Sequence, residues 1–582
     1  MTMPGLATGS IPAIVRERAS LQPNEPAFTF IDFDYDPDGV AETLTWSQLY
    51  LRTCHVAAEL RRHGTTGDRA AIVAPQGLDY IVGLLGAFEA GLIAVPLSVP
   101  HVGAHDERVN RVLADSAPAV VLTTSTVAGG VADYLSQQEL PSTWPFVEVD
   151  ALDVDGSPGP TGRGPGNGTA LLQYTSGSTR QPAGVMVSHG NLIANFEQVM
   201  VGYFSDTDGV APPETTIVSW LPFYHDMGLF IGVFAPILAG LHGVLTSPMS
   251  FLIRPARWVQ LMASNSRAFS PAPNFAFELA VRKTSDDDMA GLDLAGVTHI
   301  VCGAERVHAA TLARFTERFA QFNLRPQAIR PSYGLAEATV YVAARAPGHP
   351  PKVVHFESDK LSAGHAEPRS DSTGTALVSY GVPLAPTVRI VDPESRIEKR
   401  AGAVGEIWIH GDNVAQGYWG RPDATAETFG QRLIEPSAGT PNGPWLRTGD
   451  LGVISDGELF IVGRIKDLLI INGRNHYPDD LEATAQEITG GRVAAILVPG
   501  DVDEQLALVV EYKPRGSSKE EIATKIDVVK SNVNYAISSA HGTRVADLVL
   551  VAPGSIPITT SGKIRRLACA QLYRDNQLAR IG

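Results

Sequence analysis

The stretch Tyr174-Thr-Ser-Gly-Ser-Thr-Arg-Gln-Pro-Ala-Gly184 decides how this chain is read. It places four hydroxyl residues, Thr175, Ser176, Ser178 and Thr179, and two glycines, Gly177 and Gly184, between two apolar runs. Residues 170–174 and 185–188 on either side read as short strands. Glycine lets a backbone approach an anion closely, and exposed N–H groups with hydroxyls cradle phosphate oxygens. A flexible surface turn has the same composition, so the rest of the chain must decide between the two. Downstream, in order, stand Tyr333-Gly-Leu-Ala-Glu337, Arg447-Thr-Gly-Asp450, Gly463-Arg-Ile-Lys-Asp467 and Thr560-Ser-Gly-Lys563. One such motif carries little; five in order carry much more.

Size and charge narrow the class. A chain of 582 residues is too long for one core and predicts two to four domains or subdomains. With 44% hydrophobic and 19% charged residues it reads as well packed and globular. A formal charge of -16 without any long Lys/Arg run argues against nucleic acid as a partner and against adsorption to anionic membranes. Cys54, Cys302 and Cys569 are widely spaced, odd in number and without metal-ligand spacing, which fits a reducing cytoplasm. Cys302 sits in an apolar run and reads as a core residue. The first residues lack the basic and apolar segments of a secretory signal. Residues 229–248 carry no Asp, Glu, Lys or Arg, but Pro236 and Gly232, Gly240 and Gly243 interrupt them. They read as a buried helix running into a buried strand, not as a stable membrane span.

The first half alternates helix and strand patterns: a helix over 46–60 with Thr45 as N-cap, a strand over 68–74, a helix over 80–90, and strands at 92–96 and 120–123. Such alternation predicts mainly parallel α/β layers. Residues 153–167, rich in Gly, Pro and Asp, read as a loop. Short strands at 388–391 and 405–409 predict a small β-rich subdomain. After Gly463-Arg464, strands at 493–498 and 506–511 and a helix near 519–537 predict a separate C-terminal unit. The fold class is therefore α/β: a large layered N-terminal part, residues 1–465, with a smaller, mobile α+β C-terminal domain, residues 466–582.

Together the five motifs resemble the adenylate-forming superfamily of acyl-CoA synthetases, peptide-synthetase adenylation domains and luciferases. With Trp220-Leu-Pro-Phe-Tyr-His-Asp-Met-Gly228, Pro273-Asn-Phe-Ala-Phe277 and Asn472-Gly-Arg-Asn-His-Tyr-Pro478, the chain more closely resembles bacterial long-chain fatty acyl-AMP ligases. The resemblance implies activation of a long-chain fatty acid as its adenylate with ATP and Mg²⁺. It further implies transfer to the phosphopantetheine arm of an acyl carrier protein domain of a polyketide synthase. The loop of Thr175, Ser176, Gly177, Ser178 and Thr179 would then hold the β- and γ-phosphates of ATP. Tyr333, followed by Gly334, would stack on adenine, with Gly303, Ala304 and Glu305 on its other side. Glu337 would bind Mg²⁺, Asp450 the ribose hydroxyls, and Arg464 ribose or phosphate. His225 would lie near the acyl carboxylate, Lys466 would be the hinge, and Lys563 would grip the carboxylate and α-phosphate. Some of Trp220, Phe223, Phe275 and Phe277 would line an acyl tunnel, although aromatics of this kind usually fill cores.

Three departures from the superfamily pattern stand out. Arg180 and Ala183 occupy phosphate-loop positions that are Gly and Lys in many relatives, and Ala336 replaces a Thr before the magnesium glutamate. A polar, Pro-punctuated stretch over 349–372 matches a subfamily insertion, which the resemblance implies restrains the C-terminal domain. An acyl-CoA synthetase of the same fold and a catalytically silent fatty-acid or nucleotide-binding protein are the alternatives. Pyrophosphate release separates the second from an enzyme, and product identity separates the first.

Overall fold

A computed structural model describes residues 9–100, 107–138, 144–154, 168–175, 182–471, 474–499, 504–514, 518–559 and 562–581. Two layered sheets dominate the first 350 residues. One has eight strands; its six central strands run parallel, and an antiparallel strand closes each edge. The other has six strands, five parallel with an antiparallel edge formed by Gly184–Ser188. The expected strand–helix alternation is present, and its strands are continuous apolar runs because helices cover the faces. Helix Trp46–Leu60 begins at Thr45, whose hydroxyl accepts from the Gln48 N–H while the Gln48 side chain accepts from the Thr45 N–H. That reciprocal cap comes from a Thr three residues before a Gln.

The charge-free segment resolves as predicted into helix and strand. Asp226–Leu229 continues through a π-helical turn, Phe230–Phe234, into Ala235–Ala239, and then strand His242–Thr246. Among the described residues, no helix is long and apolar enough to cross a membrane.

A four-stranded antiparallel sheet, Thr387–Val391, Gly405–His410, Leu446–Ser455 and Glu458–Arg464, comes next. Its register sets Asp450 directly opposite Arg464. The 349–372 stretch is more ordered than a polar loop. It forms strand Val353–Phe356 and helix Ser358–Ser362, and the strand pairs with Thr375–Val378. Phe356 and Leu361 are buried with Val453, Phe460 and Tyr477.

Residues beyond Lys466 build a separate sheet from Val493–Pro499, Glu504–Glu511 and Val545–Val551. Helices Pro478–Thr489 and Lys519–His541 cover one face, and Arg566–Arg574 packs on the other. Apolar side chains on both faces give this unit its own core. All three cysteines are buried thiols.

Candidate active site

Open α/β sheets bind ligands beyond the carboxyl ends of their strands, and the motif residues collect there. Thr175 comes after strand Thr169–Tyr174, the Trp220–His225 segment after Thr216–Ser219, and Phe275 lies just beyond Phe269–Pro273. Gly303 and Tyr333 end the adjacent parallel strands His299–Gly303 and Ile329–Tyr333. Two glycines make this edge possible. A Cβ on Gly303 would stand 2.9 Å from the Ser332 carbonyl oxygen, and one on Gly334 only 1.5 Å from that of Val340. The two layered sheets are tied together here: Gln173 Nε2 donates to the Tyr224 carbonyl at 3.0 Å.

Tyr333 and Asp450 are joined directly. The Tyr333 hydroxyl donates to Asp450 Oδ2 at 2.8 Å, and Arg464 Nε donates to Oδ1 at 2.8 Å. The Asp450 charge is the main cause of the raised Arg464 pKa. Burial, reinforced by Asp450, drives the Tyr333 phenol far up, so its proton stays. Glu305 does not point freely outward: its Oε1 accepts from the Phe275 N–H at 2.7 Å. Burial raises its pKa to about 6.

Glu337 lies in the 3₁₀ turn Ala336–Ala338. Thr339 behind it has φ 68 and ψ -56, and the Val340 N–H donates to the Ala338 carbonyl at 2.8 Å. This γ-turn is strained for a β-branched residue, and the Thr339 hydroxyl donates to the Asn413 carbonyl at 2.7 Å, fixing it. Tyr418 donates to Glu337 Oε1 at 2.8 Å. Its neighbour Trp419 donates through its backbone N–H to the Gly184 carbonyl at 2.8 Å, so Glu337 is held beside the strand that closes the hydroxyl-rich loop. Burial raises the Glu337 pKa. Of that loop, Thr175 is placed by its N–H to the Ala183 carbonyl at 3.2 Å. Ser176, Gly177, Ser178, Thr179 and Arg180 lie outside the described residues.

Lys563 reaches the same site from the C-terminal unit. Its N–H donates to the Thr559 hydroxyl at 3.0 Å and its carbonyl accepts from the Thr559 N–H at 2.8 Å, a tight turn after the last strand. Gly562 lies against the Phe275 ring. Burial and the charge of Arg464 depress the Lys563 pKa, opposed by the carboxylates of Asp226, Glu305 and Asp450. The ammonium therefore sits among groups from three separate motifs. His225 holds the N-cap position of the short helix Asp226–Leu229, its carbonyl accepting from the Leu229 N–H at 2.8 Å. Lys466 lies in the 3₁₀ turn Ile465–Asp467 that joins the four-stranded sheet to the C-terminal unit.

The aromatic residues expected to line a tunnel are largely enclosed. Trp220 stacks on Phe251 at 3.8 Å, Phe223 packs edge-on to Tyr80, and Phe277 packs on Trp258 and Phe315. Only Phe275 is partly exposed among the four. Two small cavities, about 10 and 20 Å³, lie on either side of the π-helical turn. Phe230 and Phe234 border one with Asp226 and Leu192; Ile231 borders the other with Phe196 and Phe269. Sequence reasoning missed this turn, and also Tyr418 and the carboxylate of Asp226. The absence of other charge near Asp226 in a long apolar run was the signal available.

A buried tyrosine, several carboxylates and a lysine from the C-terminal unit thus meet at the carboxyl ends of the sheet strands. Residues 15–419 match the family model described as AMP-binding enzyme, and the chain belongs to that family of adenylate-forming ligases. It is 60% identical to "Long-chain-fatty-acid--AMP ligase FadD26" of Mycobacterium marinum, over 98% of each chain. It is equally identical to FadD21 of Mycobacterium tuberculosis, provisionally named a fatty-acid–CoA ligase, over 99% of this chain and 100% of that one. A solved fatty acyl-adenylate ligase from L. pneumophila, in complex with acyl adenylate and pyrophosphate, superposes with a TM-score of 0.73 at 32% identity, covering 97% of this chain and 96% of that one.

Proposed function

We propose that this protein converts a long-chain fatty acid and ATP into fatty acyl-AMP and pyrophosphate, then passes the acyl group to the phosphopantetheine thiol of a carrier protein of a polyketide synthase. The observation that carries the reading is the Lys563 turn seated against Phe275, whose N–H binds Glu305, with Lys563 coupled electrostatically to Asp226, Glu305, Asp450 and Arg464. In the first step a carboxylate oxygen bonds to the α-phosphorus while the bond to the bridging oxygen breaks, and pyrophosphate leaves. Two anions must approach, so positive charge in place beforehand lowers the barrier. Lys563 supplies that charge beside the acyl carboxylate and α-phosphate. Asp450, already oriented by Tyr333 and Arg464, retains acceptor capacity for the ribose hydroxyls. Tyr333 and the Gly303–Glu305 backbone flank the adenine, and the hydroxyl-rich sequence between Thr175 and Gly184 would bind the β- and γ-phosphates.

Glu337 fits a magnesium ion. Mg²⁺ is characteristically held by one or two carboxylates plus substrate phosphates, and the described residues contain no larger cluster of metal-binding side chains. Tyr418 orients the carboxylate while leaving it acceptor capacity. Bound there, the ion would neutralise phosphate charge.

The fatty chain would enter beyond Asp226 and His225, where two small cavities of about 10 and 20 Å³ flank the π-helical turn and must widen to admit it. π-Helical turns concentrate at functional sites, and this one adjoins both cavities. A fatty acid has no polar group beyond its carboxylate, so its binding energy comes from burial, ~0.8 kcal/mol per CH₂. Unpaired buried thiols and the acidic net charge agree with a cytoplasmic location. Fatty-acid-dependent pyrophosphate release from ATP tests the first step; no release with any fatty acid would leave only a binding protein.

A further inference from the structure

The C-terminal unit is fastened to the large part by buried charge. Arg306, three residues past Gly303, reaches Asp480 at 2.6 Å with side chains 10% and 18% exposed. Asp480 is the one ion-pair partner of Arg306 among the described residues. Burial works against the Arg306 charge, yet Asp480 and Asp479 outweigh it. The neighbouring Asp479 faces the other way. It accepts from Arg566 Nη2 at 2.6 Å, and Arg566 also grips Glu482 through Nε at 2.7 Å and Nη2 at 2.6 Å. Arg566 Nη1 donates to Asp467 of the hinge turn at 3.1 Å. Burial penalises Asp479, but Arg566 and Arg306 hold it at about 2. Glu482 is fixed in turn by the Ala495 N–H at 2.9 Å. Arg566 begins the helix Arg566–Arg574, three residues after Lys563.

We propose that Arg306 and Arg566 are positioning residues that act through the consecutive aspartates Asp480 and Asp479 to seat Lys563 for adenylate formation. This rests on the role of Lys563 in the proposed function. Arg566 sets the Lys563 turn relative to helix Pro478–Thr489 and the hinge. Arg306 sets that helix against the loop that carries Glu305. A buried pair is poor evidence for stability but a good device for fixing one register, because the partners tolerate no alternative. An arginine fork holding a carboxylate by two bonds fixes orientation as well as distance. Neither arginine is needed to bind ATP, so their loss should act on turnover.

The test uses the full-length chain carrying Arg306→Asp, Asp480→Arg, and both together, with Arg566→Lys as an independent variant. Each single reversal should lower kcat for fatty-acid-dependent pyrophosphate release by about tenfold or more, with KM for ATP within about twofold. The double reversal should recover most of the loss, the signature of a direct pair. Arg566→Lys should lower kcat without changing KM. Hydrogen exchange by mass spectrometry should quicken over residues 464–471 and 562–566 in the single reversals and return in the double, with strand His299–Gly303 unchanged. This readout holds whether or not a substrate is known. Unchanged exchange and unchanged kcat in both single reversals overturn the proposal. Single reversals that unfold, with no recovery in the double, also overturn it, because the pair would then be structural. Absence of pyrophosphate release by the unaltered protein instead overturns the proposed function, and the exchange data still decide the latch.

Discussion

The Tyr333 hydroxyl is bound to Asp450 Oδ2 at 2.8 Å. The residue at the end of a sheet strand and the carboxylate of the β-rich subdomain are thereby one unit, 117 positions apart in sequence. The proposed nucleotide site would thus be assembled by the docking of two sheets, with its parts coupled.

Asp450→Ala should weaken ATP binding by about 1.5–3 kcal/mol for each ribose hydrogen bond lost. It should also lower the unfolding temperature, because the buried Tyr333 hydroxyl and Arg464 lose their common partner. Tyr333→Phe removes a donor to the Asp450 carboxylate and should cost about 1.5–3 kcal/mol of stability with a smaller effect on affinity. Calorimetric ATP titration and thermal unfolding of both variants check this; unchanged ATP affinity in Asp450→Ala contradicts the ribose assignment.

Glu337→Gln keeps the Tyr418 contact and the shape but removes the charge. Its pyrophosphate release should require far more magnesium, and kcat should fall by about 10²-fold. Tyr418→Phe should be milder, since it frees one carboxylate oxygen without removing it. Rate measured against Mg²⁺ concentration distinguishes them, and an unchanged Mg²⁺ dependence in Glu337→Gln would remove Glu337 as its ligand.

The role proposed for Lys563 requires its charge, and burial with Arg464 holds its pKa below the ordinary 10.5. Adenylate formation should therefore decline on the alkaline side before that value, as the ammonium loses its proton. Asp226 raises the Lys563 pKa, so Asp226→Asn should move the alkaline limb to lower pH. Lys563→Ala should all but abolish the reaction with normal thermal unfolding. A pH–rate profile whose limb stays in place in Asp226→Asn would separate Lys563 from the titrating group.

In the proposed function the 349–372 stretch would bear on acceptor choice. Deleting it would open the core, because Phe356 and Leu361 are buried against Val453, Phe460 and Tyr477. A surface contact is the cleaner probe: Asp359 meets Arg474 of the C-terminal unit at 3.1 Å. An exposed pair contributes about 0–1 kcal/mol, so Asp359→Ala should leave adenylate formation unchanged. Any thioester formed with free CoA should rise no more than about fivefold. A fall in CoA thioester would show that the contact promotes that arrangement.

Much of the architecture was legible because its signals are local. The Thr45 cap, the apolar parallel strands and the helix-to-strand segment after His225 each arise from residues within one element. Motif order likewise pointed to the residues around Lys563. The features that escaped are tertiary. Tyr418 meets Glu337 across 81 positions and Arg566 meets Asp467 across 99, and nothing in either segment names its partner. The apolar anchors of the insertion were hidden in a polar stretch, because two side chains suffice to seat it. Trp220, Phe223 and Phe277 show the converse: family motifs marked them, but ring packing encloses them, and the π-helical turn that borders the cavities has no distinctive composition.

The most direct measurement is mass spectrometry of products from the purified protein with ATP, Mg²⁺, a mixture of fatty acids, and either CoA or a phosphopantetheinyl carrier protein. The account predicts acyl-AMP and pyrophosphate in every reaction, acylated carrier protein where it is present, and little acyl-CoA. Acyl-CoA appearing as fast as adenylate forms would contradict it and make the protein an acyl-CoA synthetase.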